Sequence, residues 1–129
     1  MNSKHPRDER EMEKSIPSMA DILNALSDEK ALEIFKIIAL SNCDSSILIT
    51  KTELSLKQYY SKMDRLIKAG LVIKKDGNYC LTSFGKVFYN LQITAENALS
   101  SYWKLKAIDS FDNLSKEEYH RFIEILIDN

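Results

Sequence analysis

Residues 50–85 constrain the fold of this chain more than any other stretch. Apolar residues in its first half recur at helical spacing and predict an amphipathic helix over residues 56–69: they are Leu56, Tyr59, Met63, Leu66 and Ile67. Ser55 can accept a hydrogen bond from the first turn, and Gln58 can return one, which is the pattern of a capping box. Gly70 predicts the helix end, since the residue after the last turn often adopts a left-handed conformation.

Two short apolar runs follow this helix. They are separated by Lys74, Lys75 and the dipeptide Asp76-Gly77. An Asp-Gly pair between apolar runs is a strong signal for a hairpin with a two-residue turn. The sequence therefore predicts a hairpin over residues 71–81 with lysines near its tip.

Length and composition set the domain organisation. A chain of 129 residues can form one domain with a hydrophobic core but not two of ordinary size. Residues 1–17 carry charges of both signs with almost no apolar spacing, which is typical of a flexible arm. We expect residues 18–85 to form the domain and residues 86–129 a helical extension.

The region before this stretch adds a family resemblance. Ser18 can cap a short helix, and residues 26–35, with the sequence LSDEKALEIF, supply a second helix whose cap comes from the pair Ser27-Asp28. Together with residues 54–85, this pattern resembles archaeal and bacterial winged helix-turn-helix regulators of the ArsR-like type. Those proteins usually have arginine where Ala31 stands and often proline where Glu29 stands, so the subfamily is left open.

The resemblance implies a mainly α fold with a small β-hairpin wing. It consists of a winged helix-turn-helix domain, a long C-terminal helix and a terminal helix. Within it, residues 56–69 are the recognition helix and residues 47–54 the helix that precedes the turn. From propensity alone, the β-branched residues of that shorter segment could equally be extended.

The polar face of the predicted recognition helix carries residue types that bind DNA. Gln and Arg can bond base edges, Ser and Tyr hydroxyls can bond phosphates or bases, and Lys neutralises phosphates. The predicted DNA-binding residues of helix and wing are Lys57, Gln58, Tyr60, Ser61, Lys62, Arg65, Lys74, Lys75 and Asn78. Tyr60 could instead pack beneath the wing. This set predicts a regulator of transcription that places the helix in the major groove and the wing, residues 72–81, on the backbone of double-stranded DNA.

Charge distribution leaves two functional classes open. Residues 51–75 hold seven basic and two acidic residues, whereas residues 109–129 hold two basic and six acidic ones. The basic stretch favours a polyanion as partner. The acidic end and the formal net charge of -1 would also suit a protein-protein interaction adaptor of transcription or replication machinery. Interruption of the basic face by Glu53, Asp64 and Asp76 would favour the adaptor.

A second pattern lies in the predicted long helix over residues 83–107. Apolar residues recur there at alternating steps of four and three, the spacing of a coiled coil: they are Phe84, Phe88, Leu91, Ala95, Ala98, Tyr102 and Leu105. We expect this seam to form a homodimer interface. Alternatively, a terminal helix that begins with the capping box of Ser115 and Glu118 could fold back and cover it.

The sequence contains no recognisable catalytic constellation. His5 and His120 have no evident nucleophile to serve, and the three glycines form no phosphate-binding loop, so an enzyme is not expected. Cys43 and Cys80 match no metal motif, so neither a metal site nor a cofactor is predicted. Redox sensing by Cys43 stays open.

The remaining expectations concern the environment of the chain. No apolar run reaches the roughly 18 residues of a membrane span, and the first residues lack a signal-peptide core, so a cytoplasmic protein is expected. Aromatic residues on the long helix could line an effector pocket but are more typical of a core or interface: they are Tyr89, Tyr102 and Trp103. An effector is therefore not assigned.

Overall fold

The computed structural model describes residues 16–111 and 115–127. Within them the chain forms seven helices and a two-stranded antiparallel hairpin, which confirms the mainly α fold with a small hairpin. In chain order these are α1 (Met19–Ala25), α2 (Glu29–Leu40), α3 (Ser45–Thr52), α4 (Leu56–Lys68), β1 (Val72–Lys75), β2 (Asn78–Leu81), α5 (Ser83–Ser100), α6 (Tyr102–Ile108) and α7 (Lys116–Ile127). Residues 1–15 of the predicted arm lie outside the described residues.

Side-chain caps fix the starts of the first four helices. Ser18 and Ser55 each form a capping box, with Asp21 and Gln58 respectively, and Asp28 accepts from the Ala31 amide at 2.8 Å. Such caps satisfy amides that have no partner inside the helix. The predicted starts of α1, α2 and α4 are therefore confirmed.

The segment whose state the sequence left open is helical. Asp44, which the sequence analysis did not single out, caps α3 by accepting from the Ile47 amide at 3.0 Å. Leu48 and Thr52 are fully buried, and the Thr52 hydroxyl donates to the Leu48 carbonyl at 2.7 Å. The cap and this burial outweigh the weak helix propensity of the β-branched residues.

The core of the first compact unit, which ends at Lys86, lies among α1–α4 and the start of the hairpin. Its largest fully buried side chains are Tyr59, Phe35, Ile34, Ile38, Leu48, Met63, Leu66, Leu71 and Val72. A polar contact lies at the edge of this core. The Lys30 ammonium donates a hydrogen bond to the Thr52 carbonyl, the last of α3, at 2.8 Å. A cation at a helix C-terminus is favourable there.

The hairpin has the predicted two-residue turn. Asp76 and Gly77 both have positive φ, 52° and 82°, and Lys74 pairs with Tyr79 across the strands. The segment between α2 and α3 adds to this sheet, since the Tyr79 amide donates to the Cys43 carbonyl at 2.8 Å. This isolated bridge connects β2 to the segment between α2 and α3.

The second compact unit starts at Val87, and here one prediction is wrong. The long helix expected over residues 83–107 is interrupted at Ser101, which has φ -103° and ψ 16° and separates α5 from α6. The Ser100 hydroxyl donates to the Glu96 carbonyl, and the Ser101 amide is shared between the carbonyls of Asn97 and Ala98. Serines bond nearby backbone and so compete with a continuing helix.

The terminal helix begins as predicted and contacts α6. The Ser115 hydroxyl accepts from the Glu118 amide at 3.1 Å, and the Tyr119 hydroxyl donates to Asp109 at 3.2 Å. None of the helices in the described part of the chain has the length and apolar content of a membrane span.

Tyr59 leads to a prediction about stability in alkali. Its ring is fully buried and its hydroxyl donates to Ser45 at 2.9 Å. Burial raises the pKa of Tyr59 to about 12 from its ordinary 10. The stabilising contribution of the buried Tyr59 is therefore complete below pH 10 and is lost as the pH rises through 12. Between these two values, the Tyr59 hydroxyl ionises in the unfolded state but not in the folded state.

We expect the stability advantage of the natural protein over Tyr59→Phe to shrink by about 2 kcal/mol between pH 9 and pH 12. Urea denaturation followed by circular dichroism at several pH values measures this difference. Lysine deprotonation affects both proteins alike, so the comparison cancels it. A difference that stays constant with pH would contradict the expectation.

Candidate nucleic-acid interface

The outward ridge of α4 is the centre of the candidate site. Tyr59, Met63 and Leu66 face the core, as predicted, and the opposite side of the helix carries four exposed residues at steps of four, three and four. These four, hereafter the outward ridge, are Lys57, Ser61, Asp64 and Lys68. The sequence analysis selected the first two and missed the others, although the helical spacing already placed all four on one side.

Two predicted DNA-binding residues of α4, Lys62 and Arg65, lie outside this ridge. The Lys62 ammonium donates to Asp28 at the start of α2, at 2.9 Å, and its side chain is only 21% exposed. Arg65 is exposed and lines a depression together with Asp21 and Asn24 of α1. The prediction that Lys62 faces a groove is therefore corrected, because its charge stabilises the contact between α2 and α4.

This ion pair also affects the acid stability of the protein. Partial burial of Asp28 opposes ionisation, but the hydrogen bonds from Lys62 and from the Ala31 amide, and the Lys62 charge, outweigh it and lower the pKa of Asp28. The contribution of the pair is present above the ordinary aspartate pKa and is lost as the pH falls through the lowered one.

On its other side, α4 borders a shallow depression of about 600 Å³ that reaches the hairpin. Tyr60 and Ile67 of the helix and Tyr79 of β2 lie along it. Tyr60 is 54% exposed and makes an edge contact with the Tyr59 ring, at 5.0 Å between centroids. The Tyr60 hydroxyphenyl group is therefore accessible from solvent.

The cations of the hairpin lie on two different faces. Cross-strand partners share a face, so Lys74 lies with Tyr79, and its ammonium is 5.6 Å from the ring centroid. Lys75 is paired with Asn78 and lies on the opposite face. Asp76 directly follows the two lysines and occupies the turn itself, so the tip of the hairpin carries a negative charge.

Charge along this surface is mixed. Asp64 and Lys68 form an ion pair at 3.0 Å, with both side chains more than half exposed. Lys57, Lys74 and Lys75 form no ion pair with any other residue that the structure describes. These three lysines are therefore available to an anionic partner.

Gln58 and Ser61 also belong to the predicted DNA-binding residues of α4. Both are exposed, but the Gln58 carbonyl is engaged in the capping box, where it accepts from the Ser55 amide at 3.4 Å. Of the nine predicted residues, Lys57, Tyr60 and Ser61 line the helix-hairpin depression, and the Lys74 ammonium lies near the ring of Tyr79, which also lines it.

The two cysteines are buried to different degrees. Cys43 is buried, and burial raises the pKa of its thiol, which disfavours the reactive thiolate. Cys80 is half-buried, with its sulfur 3.6 Å from the Ile73 carbonyl. Among the described residues, no group of three or more His, Cys, Asp or Glu side chains could hold a metal ion.

The predicted dimer seam is largely accessible in the single chain. Leu91 is 55% exposed, Tyr102 is 50% exposed and Ala95 is also exposed, whereas Phe88, Ala98 and Leu105 are half-buried. Phe84 is 43% exposed. The break at Ser101 divides the seam between α5 and α6.

Comparison with known proteins gives no further guide. No protein-family model, no curated protein and no solved structure matches this chain.

Proposed function

We propose that this chain is a double-stranded DNA-binding regulator of transcription built on a winged helix-turn-helix domain. The proposal depends on one observation, the exposed outward ridge of α4 beside a hairpin that carries lysines. The order of elements supports it, because α3, a three-residue turn, α4 and the hairpin follow one another directly. The isolated bridge between Cys43 and Tyr79 connects the hairpin to the segment that precedes α3.

The dimensions of α4 suit the major groove. Its 13 residues extend about 20 Å, and an α-helix fits the roughly 12 Å width of that groove. Lys57 and Ser61 then reach the bases or the bordering phosphates. Tyr60 lies towards the hairpin, where its hydroxyl can bond a phosphate.

The hairpin is suited to the backbone rather than to the minor groove. Each strand has four residues, and the turn carries Asp76. A carboxylate is repelled by the negative potential of a narrow minor groove. Lys74 and Lys75 therefore neutralise phosphates along the edge of the groove that α4 occupies.

The functional form in this proposal is a homodimer. In the second unit, Ile108 is the only described residue that is buried, and large exposed side chains remain along all three helices. A unit of this size with so small a core needs further apolar contact for stability. A second copy joined through the seam residues supplies that contact and presents two recognition helices to a palindromic site.

The test is a salt titration of binding to duplex DNA by fluorescence anisotropy. If Lys57, Lys74 and Lys75 of both protomers neutralise phosphates, the slope of log affinity against log salt is about -5. Light scattering of the same samples gives the stoichiometry. Absence of binding to pooled random duplexes at low salt would overturn the proposal.

A protein-interaction adaptor is the second candidate. Asp64 on the outward ridge and Asp76 at the hairpin tip interrupt the basic face, which is the feature that would favour the adaptor. Tyr60 is 54% and Ile67 42% exposed beside the helix-hairpin depression, and apolar exposure of this kind suits a protein partner. Under this alternative, the titration detects no DNA binding, and Tyr60→Ala and Ile67→Ser abolish capture of a protein partner without unfolding the chain.

A further inference from the structure

Asp64 occupies an unexpected place for an acidic residue in a DNA-binding surface. It lies in the middle of the outward ridge, between Ser61 and Lys68, and its side chain is 58% exposed. A carboxylate in this position repels phosphates, so it weakens general attraction to DNA. It can favour binding only where the DNA presents a hydrogen-bond donor.

Few groups in the major groove meet that condition. The donors there are the N4 amino group of cytosine and the N6 amino group of adenine, whereas guanine presents two acceptors. In adenine the amino group stands next to the acceptor N7, which repels a carboxylate. Cytosine has no such acceptor beside its amino group, so a carboxylate discriminates in its favour.

Lys68 orients the Asp64 carboxylate for a hydrogen bond with cytosine. Its ammonium lies 3.0 Å from Oδ2 of Asp64, one helical turn further along. The carboxylate has further lone pairs that can accept a hydrogen bond, and the ammonium has two more N–H groups. Lys68 can therefore donate to the O6 or N7 acceptors of guanine while it orients Asp64.

From these observations we infer that Asp64 and Lys68 form a specificity-determining pair that selects a C·G base pair in each half-site. Asp64 accepts from cytosine N4, and Lys68 donates to guanine in the same or the adjacent base pair. The inference depends on the proposed DNA-binding function, and it adds a base preference that the general charge of the surface does not provide.

The test compares sites selected from random duplex DNA by the natural protein and by Asp64→Asn. Asparagine bonds adenine N6 and N7 bidentately, so we expect the preferred cytosine to change to adenine at one position of each half-site. Affinity for the original cytosine site relative to the adenine site should fall about tenfold or more. Circular dichroism checks that the variant, which loses only an exposed ion pair, stays folded.

Asp76→Asn is the matched control, because it also removes one negative charge and asparagine tolerates the positive φ of that turn position. Both variants should bind DNA more tightly at low salt, but the control should select the same sites as the natural protein. Identical sites for the natural protein and Asp64→Asn would overturn the inference and leave the DNA-binding function standing. Failure of the natural protein to bind any duplex would overturn both.

Discussion

Replacing Gly85 with alanine is expected to lower the free energy of unfolding by about 3 kcal/mol. A Cβ atom at this position would overlap the carbonyl oxygen of Leu71 and lie 3.0 Å from its carbonyl carbon. Because both groups belong to the backbone, no side chain can rotate to relieve the overlap. The first turn of α5 or the segment before β1 would have to move instead.

Hydrogen bonds oppose such a movement. The Gly85 amide donates to the Thr82 hydroxyl at 2.8 Å, and that hydroxyl donates to the Gly70 carbonyl. The Thr82 amide donates to the same Leu71 carbonyl at 3.1 Å. A shift of α5 would therefore break contacts that connect it to the end of α4.

Urea denaturation followed by circular dichroism measures the effect of Gly85→Ala. Gly77→Ala is the matched control, since Gly77 has a φ of 82° but open space around its Cα. Its replacement should cost only about 1 kcal/mol, the strain of a left-handed residue. Equal stabilities of the two variants would show that the close approach of Gly85 to Leu71 is unimportant.

Reversing the charges of Lys57 and Lys74 together is expected to lower DNA affinity at least about 100-fold at 0.1 M salt, roughly tenfold for each reversal. Lys57 lies on the outward ridge and Lys74 beside Tyr79, so Lys57→Glu with Lys74→Glu places repulsion on both sides of the helix-hairpin depression. The salt slope should also fall from about -5 to about -2, because only Lys75 of each protomer remains of the three lysines.

Lys36→Glu provides a control for a single charge reversal away from the proposed surface. Lys36 is exposed on α2, on the side opposite the buried Ala31 and Phe35. The same reversal there should change DNA affinity less than about threefold. If the control and the double variant lose affinity equally, binding depends on overall charge and not on the proposed surface.

The double variant should remain folded, which separates loss of binding from loss of structure. Neither Lys57 nor Lys74 forms an ion pair within the described residues. The contact between Lys74 and the Tyr79 ring contributes about 0.5 kcal/mol at an exposed site. Thermal unfolding of the variant should therefore stay close to that of the natural protein.

The sequence by itself determined the features that depend on neighbouring residues. The capping box of Ser55 and Gln58, the left-handed Gly70 just past the end of α4 and the turn at Asp76-Gly77 all agree with the structure. Each involves residues no more than a few positions apart, so its free energy is set by local backbone geometry. The buried side of α4 follows for the same reason, since helical spacing is a local property.

Only the tertiary structure decided which polar side chains remain available. Lys62 resembles Lys57 in the sequence, but its partner Asp28 lies 34 residues away, and a contact at that separation has no local signal. The structure also ends α5 at Ser100, although apolar spacing continues past it. The contact between Lys62 and Asp28 exists only in the folded chain, and one-dimensional spacing does not contain that information.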